Sequence, residues 1–366
     1  MKVSLIDLKA QYKNIEPEIR GALDRVLESG QYILGDEVSA FEAEFAKYSG
    51  SQFAVAVNSG TSALHLALVA AGIGPGDEVI TCPSTFVATV AAIEYAGARA
   101  VLVDAEPETL TIDPNLIEAA ITPATRAILP IHLYGHMADM NAIQNIARAN
   151  NLLVIEDAAQ AHGADFKGQR AGSLGDYGCF SFYPSKNLGA MGEGGMVTCN
   201  SEEANQRLRM LRDWGQSSKY NHETLGFNYR MDGFQGAILG AKLAHLEDWI
   251  EGRRKVASLY SELVQHADLM LPNEREDYQH VYYVYVVRSA NRDQLQDHLT
   301  EAGIGTGIHY PHPVHLEPAF AGLGYKLGSF PIAEAAAEQV LSIPMYPEMS
   351  AEQIETVATA LNNFGQ

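Results

Sequence analysis

Between Phe53 and Val197 the chain alternates short apolar, β-branched runs with longer segments of helical periodicity, which restricts the fold more than any other feature. FAVAV, EVITC, ARAVLVD, TRAILPI and NLLVIEDA are each bounded by Gly, Pro or acidic residues. Near-continuous apolar runs fit strands covered on both faces, as in a mostly parallel sheet. Between them TSALHLALVAAG, FVATVAAIEYAG and MNAIQNIARANN carry helical patterns, and the first two close on Gly, a common helix stop. Strand and helix in turn imply an α/β domain with right-handed crossovers.

Further along the pattern changes. GFNYRMDGFQGAILGAKLAHLEDWIEGRRKVASLYSELV reads as one long helix linking two parts of the molecule. HVYYVYVVR then predicts an alternating strand, RDQLQDHLTEAG a helix stopping at Gly303, and SAEQIETVATALNNF a closing helix. The expectation is a large domain over 1–245 and a smaller α+β domain over 246–366, a division that suits a chain of 366 residues.

A formal net charge of −20 argues against nucleic acid or a membrane surface as partner, since both need a basic face. A few local donors can still hold a small anion. No apolar run approaches the roughly 20 residues that cross a bilayer. The opening stretch MKVSLIDLKAQYKNIEPEIR has acids and no apolar core, which reads against a signal peptide. Cys82, Cys179 and Cys199 are odd in number and form no CxxC pair, which suits a reduced cytoplasm.

Three stretches carry chemistry. In SFYPSKNLGAMGEGGMV, Lys186 lies between apparent strand ends, ahead of a Gly-rich turn. Most lysines are solvated surface charges. This one has apolar, Gly-dense surroundings, and a desolvated amine can attack an aldehyde. In VIEDAAQAHGA, Asp157 follows an apolar strand, where the carboxyl ends of parallel strands gather ligand groups. A carboxylate there can keep a pyridinium nitrogen protonated, and Gln160 could reach a ring hydroxyl; alone, Asp157 would read first as a helix cap. In NSGTSALHLAL a strand, a small turn and a helix make an anion site, with Thr61 and Ser62 as first-turn donors.

With these segments in view, the chain resembles the DegT/DnrJ/EryC1/StrS family of sugar aminotransferases, with fold type I of the pyridoxal-phosphate enzymes. The resemblance runs from SLIDLKAQYKNIEPEI through SGTSALHLAL, EDAAQAHGA, SFYPSKNLGAMGEGG and GFNYRMDGFQGAIL to YPHPVHLEPAF. It implies that Lys186 holds pyridoxal phosphate as a Schiff base and later shuttles the proton. Asp157 would pair with the pyridine nitrogen, and Gln160 would bond the ring oxygen. Gly60, Thr61, Ser62 and Ser181 would hold the phosphate, and Phe86 would stack on the cofactor face. Asn228 would reach the cofactor phosphate of the neighbouring subunit, which implies a homodimer with shared sites.

The resemblance also implies the reaction. Relatives with His in place of the lysine act as dehydratases, so Lys186 points to amino transfer, from L-glutamate to a nucleotide-linked keto-sugar. His309 and Tyr310 of HYPHPVHLEP are similar to the stretch in relatives that aminate 3-keto-6-deoxy sugars on dTDP. Tyr183 and Glu193 would also face the sugar, with Lys219 and Arg230 as candidates for the diphosphate. Amination of a 4-keto sugar is the main alternative, and a cofactor-binding regulator without turnover is a weaker one. No metal is expected, because two prolines interrupt His309, His312 and His315 and no acid or Cys completes a set. A nicotinamide oxidoreductase would need GxGxxG after the first strand, which GIGPGDE and GEGGMV do not match.

Overall fold

The structure is a computed structural model that describes residues 1–365. Seven strands form its central sheet: β1 (Phe53–Val57), β2 (Glu78–Thr81), β3 (Arg99–Leu102), β4 (Thr125–Ile128), β5 (Leu153–Asp157), β6 (Tyr177–Ser181) and β7 (Gly195–Cys199). Their spatial order is β1-β7-β6-β5-β4-β2-β3. All pairs from β6 to β3 are parallel, while β7 runs antiparallel to both β6 and β1. The five expected strands are present in a mostly parallel sheet. Pairing of Ser181 with Gly195 makes residues 182–194 a single excursion from the carboxyl end of β6.

Helices α1 (Leu8–Asn14), α2 (Glu16–Ser29) and α3 (Asp36–Ser49) precede the sheet. Within it come α4 (Gly60–Ala70), α5 (Val87–Tyr95) and α6 (Met140–Asn150), and after it α7 (Glu202–Arg212), α8 (Gly233–Leu243) and α9 (Leu246–Leu263). Successive strand residues point to opposite faces, so Val79 packs with Leu64, Val90 and Ile93 of α4 and α5. Ile80 packs on the other side with Phe41, Ile143 and Leu239 of α3, α6 and α8. Both faces are covered, which is why the strands read as apolar throughout.

Two sequence expectations fail here. The single long helix is instead α8 and α9, interrupted at Ala244 and His245. The preceding GFNYRM is extended, bridging Asn228 to Asp213 and Arg230 to Val57, and Asp232 caps α8 by accepting from the Gln235 N–H. The break lets α8 pack against α2 and α3 while Val256, Ala257 and Tyr260 of α9 join a separate apolar cluster. The strand expected across HVYYVYVVR shrinks to β8 (Tyr285–Arg288). Upstream, the Val281 and Tyr283 N–H groups bond the Gly135 and Tyr134 carbonyls, and Arg253 takes the carbonyls of Tyr282 and Tyr283. With those groups committed to a loop and a side chain, no strand partner is left.

Toward the C-terminus come α10 (Arg292–Glu301), α11 (Pro331–Gln339), β9 (Val340–Ile343), which pairs antiparallel with β8, and α12 (Ala351–Asn362). Tyr285, Leu295, Leu341 and Val357 form a core with Val3, which bridges Ile304. The first residues thus pack with the C-terminal elements. Among the described residues no helix is long and apolar enough to cross a membrane.

Candidate active site

A cleft of ≈ 470 Å³ opens at the carboxyl ends of β5 and β6, within the range of small-molecule sites. Asp157 closes β5 and points into it. Its neighbour Glu156 faces the opposite way and is fully buried, accepting from the N–H groups of Gly172, Leu174 and Gly175 and lying 2.8 Å from His132 Nε2. That network pins the end of β5 and fixes the direction of Asp157. The Asp157 carboxylate accepts from Thr89 Oγ1 at 2.8 Å and from the Ala159 N–H at 3.2 Å. Thr89 in turn lies 2.7 Å from Thr85 Oγ1. Among the described residues no cation reaches the carboxylate within 4.0 Å, and burial pushes its pKa up, the two donors and the Lys186 charge offsetting part of the rise.

Lys186 enters from the 182–194 excursion. Its backbone N–H bonds the Tyr183 carbonyl at 2.8 Å, and its ammonium sits 4.0 Å from the centre of the Tyr283 ring. Ser185 Oγ and Tyr283 Oη are 3.2 Å apart, tying the excursion to the segment that failed to form a strand. Tyr283 was not legible as a site residue, because its alternation spelled a strand.

The anion turn forms at the start of α4. Ser59 caps the helix by accepting from the Ser62 N–H, leaving the Gly60 and Thr61 N–H groups without acceptors among the described residues. Gly60 lies so close to Ser181 that a Cβ there would meet Ser181 Cβ at 2.5 Å. Thr61 and Ser181 line the cleft. Ser62 differs from expectation: it is buried, its hydroxyl donates to Asn58 Oδ1 at 2.7 Å, and it does not line the cleft. The helix cap has taken the groups it was expected to offer a ligand.

Gln160 is held at both ends, accepting from the Tyr134 N–H at 2.7 Å and donating to Tyr310 Oη at 3.2 Å. Phe86 and Tyr183 are half exposed at the cleft wall, and Phe86 tilts against Tyr310 at 5.4 Å. Glu193, His309 and Tyr310 also line the cleft. His309 Nδ1 lies 2.8 Å from Ser342 Oγ, and burial with the Lys186 charge holds its imidazole below the usual range. His315 Nε2 lies 3.0 Å from Glu334, and no metal-holding group of His, Cys, Asp and Glu occurs among the described residues.

Lys219, Asn228 and Arg230 lie outside this cleft wall. Lys219 is exposed on a short hairpin, and exposed Asn228 accepts from Arg230 Nε, while Arg230 Nη1 pairs with Asp213 at 3.3 Å. Thr85 and Thr89 are cleft residues that the sequence reading passed over; Thr85 precedes α5, and its hydroxyl meets that of Thr89 in the first turn.

The DegT/DnrJ/EryC1/StrS aminotransferase family model matches residues 13–362. The chain is 48% identical over 367 residues to the pleiotropic regulatory protein of Geobacillus stearothermophilus, covering 100% of this chain and 99% of that one. It is 47% identical over 366 residues to dTDP-3-amino-3,4,6-trideoxy-α-D-glucose transaminase of Streptomyces venezuelae, covering 100% and 97%. The crystal structure of S. venezuelae DesV in complex with a ketimine intermediate matches with a TM-score of 0.97 at 47% identity, over 99% of this chain and 98% of that one. Fold and cleft together define the class, a fold type I aminotransferase. The chain belongs to the DegT/DnrJ/EryC1/StrS aminotransferase family.

Proposed function

We propose that the cleft transfers an amino group from L-glutamate to a nucleotide-linked keto-sugar, on pyridoxal phosphate, with dTDP-3-keto-6-deoxyhexose as the acceptor. The observation that carries this reading is one cleft holding a lysine amine, a buried carboxylate without a cation, and two unsatisfied N–H groups at a helix start. These fit the cofactor: Asp157 for its ring nitrogen, Gly60, Thr61 and Ser181 for its phosphate, and Lys186 for its aldehyde. Pyridoxal phosphate, when bound, supplies an electron sink for charge developing at the amine-bearing carbon.

The chain supplies the rest. Lys186 Nζ takes and returns the proton at that carbon. Asp157 would keep the ring nitrogen protonated, Phe86 would cover one face of the ring, and Gln160 with Tyr310 would lie along its edge. Tyr183, Glu193 and His309 face the sugar, His309 as a neutral imidazole. Lys219, Asn228 and Arg230 serve the neighbouring protomer's cleft in a homodimer. The helix break at Ala244 and His245 separates the large domain from the small one, and the three buried free cysteines accord with the cytoplasm.

Support for carbon 3 comes from the S. venezuelae relative, whose name specifies a dTDP-linked 3-amino sugar. Protein loaded with pyridoxal phosphate and glutamate is expected to aminate a dTDP-3-keto-6-deoxyhexose. Amination of the 4-keto isomer alone, read by mass spectrometry, would refute that choice. The regulatory name of the Geobacillus relative favours a second reading, a cofactor-binding regulator, and turnover of either sugar would count against it as the sole role.

The hydroxyl of Thr89 has a checkable part in this chemistry. Thr89→Val keeps the shape but removes the donor to Asp157, a bond to a charged group of about 1.5 kcal/mol. Cofactor affinity is expected to fall about tenfold in a fluorescence titration. Unaltered affinity would mean that Thr89 does not support the charged carboxylate.

A further inference from the structure

α8 lies against the excursion that carries Lys186 and touches it twice. Gln235 Oε1 accepts from the Met191 N–H at 2.9 Å, and seven residues on, Lys242 Nζ donates to the Gly189 carbonyl at 2.6 Å. Positions seven apart share a helix face. Lys242 is 3% exposed, which is rare for a lysine, and it has no ion pair within 4.0 Å among the described residues. Burial pulls its pKa down to about 8, partly offset by the charge of Glu348, whose own pKa burial raises. An unpaired buried cation costs stability that an apolar side chain would not. Among the described residues its ammonium has one hydrogen bond, to Gly189.

The Gly189 bond matters because of where that carbonyl sits. A Cβ on Gly189 would stand 2.3 Å from the Pro184 carbonyl oxygen, so residues 184–189 form a tight loop with Lys186 inside it. The Ala190 N–H closes it on the Phe182 carbonyl at 2.8 Å. On the far side, buried Arg253 Nη1 donates to the carbonyls of Tyr282, Tyr283 and Met345, and the Tyr283 ring faces the Lys186 amine. The loop is therefore gripped from α8 on one side and braced from α9 on the other.

We propose that Lys242 is a positioning residue for Lys186: its ammonium fixes the Gly189 carbonyl and so sets where the amine enters the cleft. This role rests on Lys186 being the amine that takes the cofactor.

Lys242→Met and Lys242→Gln, the second too short to reach Gly189, test it in the full chain. Without cofactor, amide hydrogen exchange is expected to quicken in residues 186–191 and stay unchanged in β2 and β3. Capture of pyridoxal phosphate at Lys186, trapped with borohydride and read by mass spectrometry, is expected to slow about tenfold, since misplacements of about 1 Å cost that much or more. The kcat should fall by a similar factor, with KM for the sugar within about threefold. Should the Met variant not fold, the Gln variant carries the test. Folded variants with wild-type exchange and capture, even at a lower melting temperature, would overturn the proposal. Were wild-type Lys186 to capture no cofactor, the functional reading would fall, while the exchange measurement would still decide whether Lys242 holds the loop.

Discussion

Replacing Lys186 by Ala is expected to lower kcat/KM for amino transfer about 10⁴-fold, the upper end of what a positioned acid–base group contributes. In the proposed chemistry two duties converge on one atom, Lys186 Nζ, which anchors the cofactor and carries the proton, so no neighbour can take over either. The fold should survive. The Lys186 ammonium makes no hydrogen bond or ion pair among the described residues, only its contact with the Tyr283 ring, and its loop is held through Tyr183, Gly189 and Ala190. The variant should melt near the wild type and still bind pyridoxal phosphate, but release it on dialysis. Borohydride treatment followed by peptide mass spectrometry should find the cofactor fixed to Lys186 in the wild type and nowhere in the variant. Labelling of a different lysine in the wild type would sink the assignment.

Asp157→Asn is expected to cost roughly 10³-fold in kcat with little change in shape. An opposite charge at contact distance shifts a pKa by about 1–3 units, so its loss can strip the ring nitrogen of its proton at neutral pH. Asn can still engage the Ala159 N–H and Thr89, whose hydroxyl can turn toward Thr85. Stability should move the other way. The Asp157 pKa is raised in the folded chain, so folding favours the protonated form. The cofactor-free protein therefore loses stability as pH rises from the ordinary carboxylate range through that raised value, and the neutral amide escapes this loss. The cofactor-free variant should melt above the wild type at pH 7, with the gap closing at low pH. A wild-type rate in the variant would count against a carboxylate kept charged for the ring nitrogen, and a lower melting temperature at neutral pH would count against burial making that charge costly.

The sheet was legible because burial on both faces leaves a compositional trace in every strand, as in FAVAV and NLLVIEDA. Asp157 was legible as chemistry because it ends an apolar run where ligands gather, and Lys186 because its surroundings are apolar and Gly-dense. Less local features left weaker traces. Ser62 looked like a donor, yet the cap formed by Ser59 and Asn58 depends on side-chain rotamers that spacing does not encode. Tyr283 and Arg253 escaped notice because an alternating run looks the same whether its backbone groups meet a strand or a guanidinium. Lys242 read as one more helix lysine, since only the tertiary fold shows what lies 2.6 Å from it.

The glycines that follow Lys186 have a consequence for mutational scanning. A Cβ on Gly189 would strike Pro184, one on Gly192 would approach Gln235 to 3.0 Å, and one on Gly195 would come 2.2 Å from the Ser59 carbonyl oxygen. A saturation library should thus show a band of intolerant positions through GAMGEGG that resembles a ligand footprint but records the clearance between backbones. Variants in that band should fail without added cofactor as often as with it, and this separates them from losses at Asp157, which should appear only when the cofactor is at work.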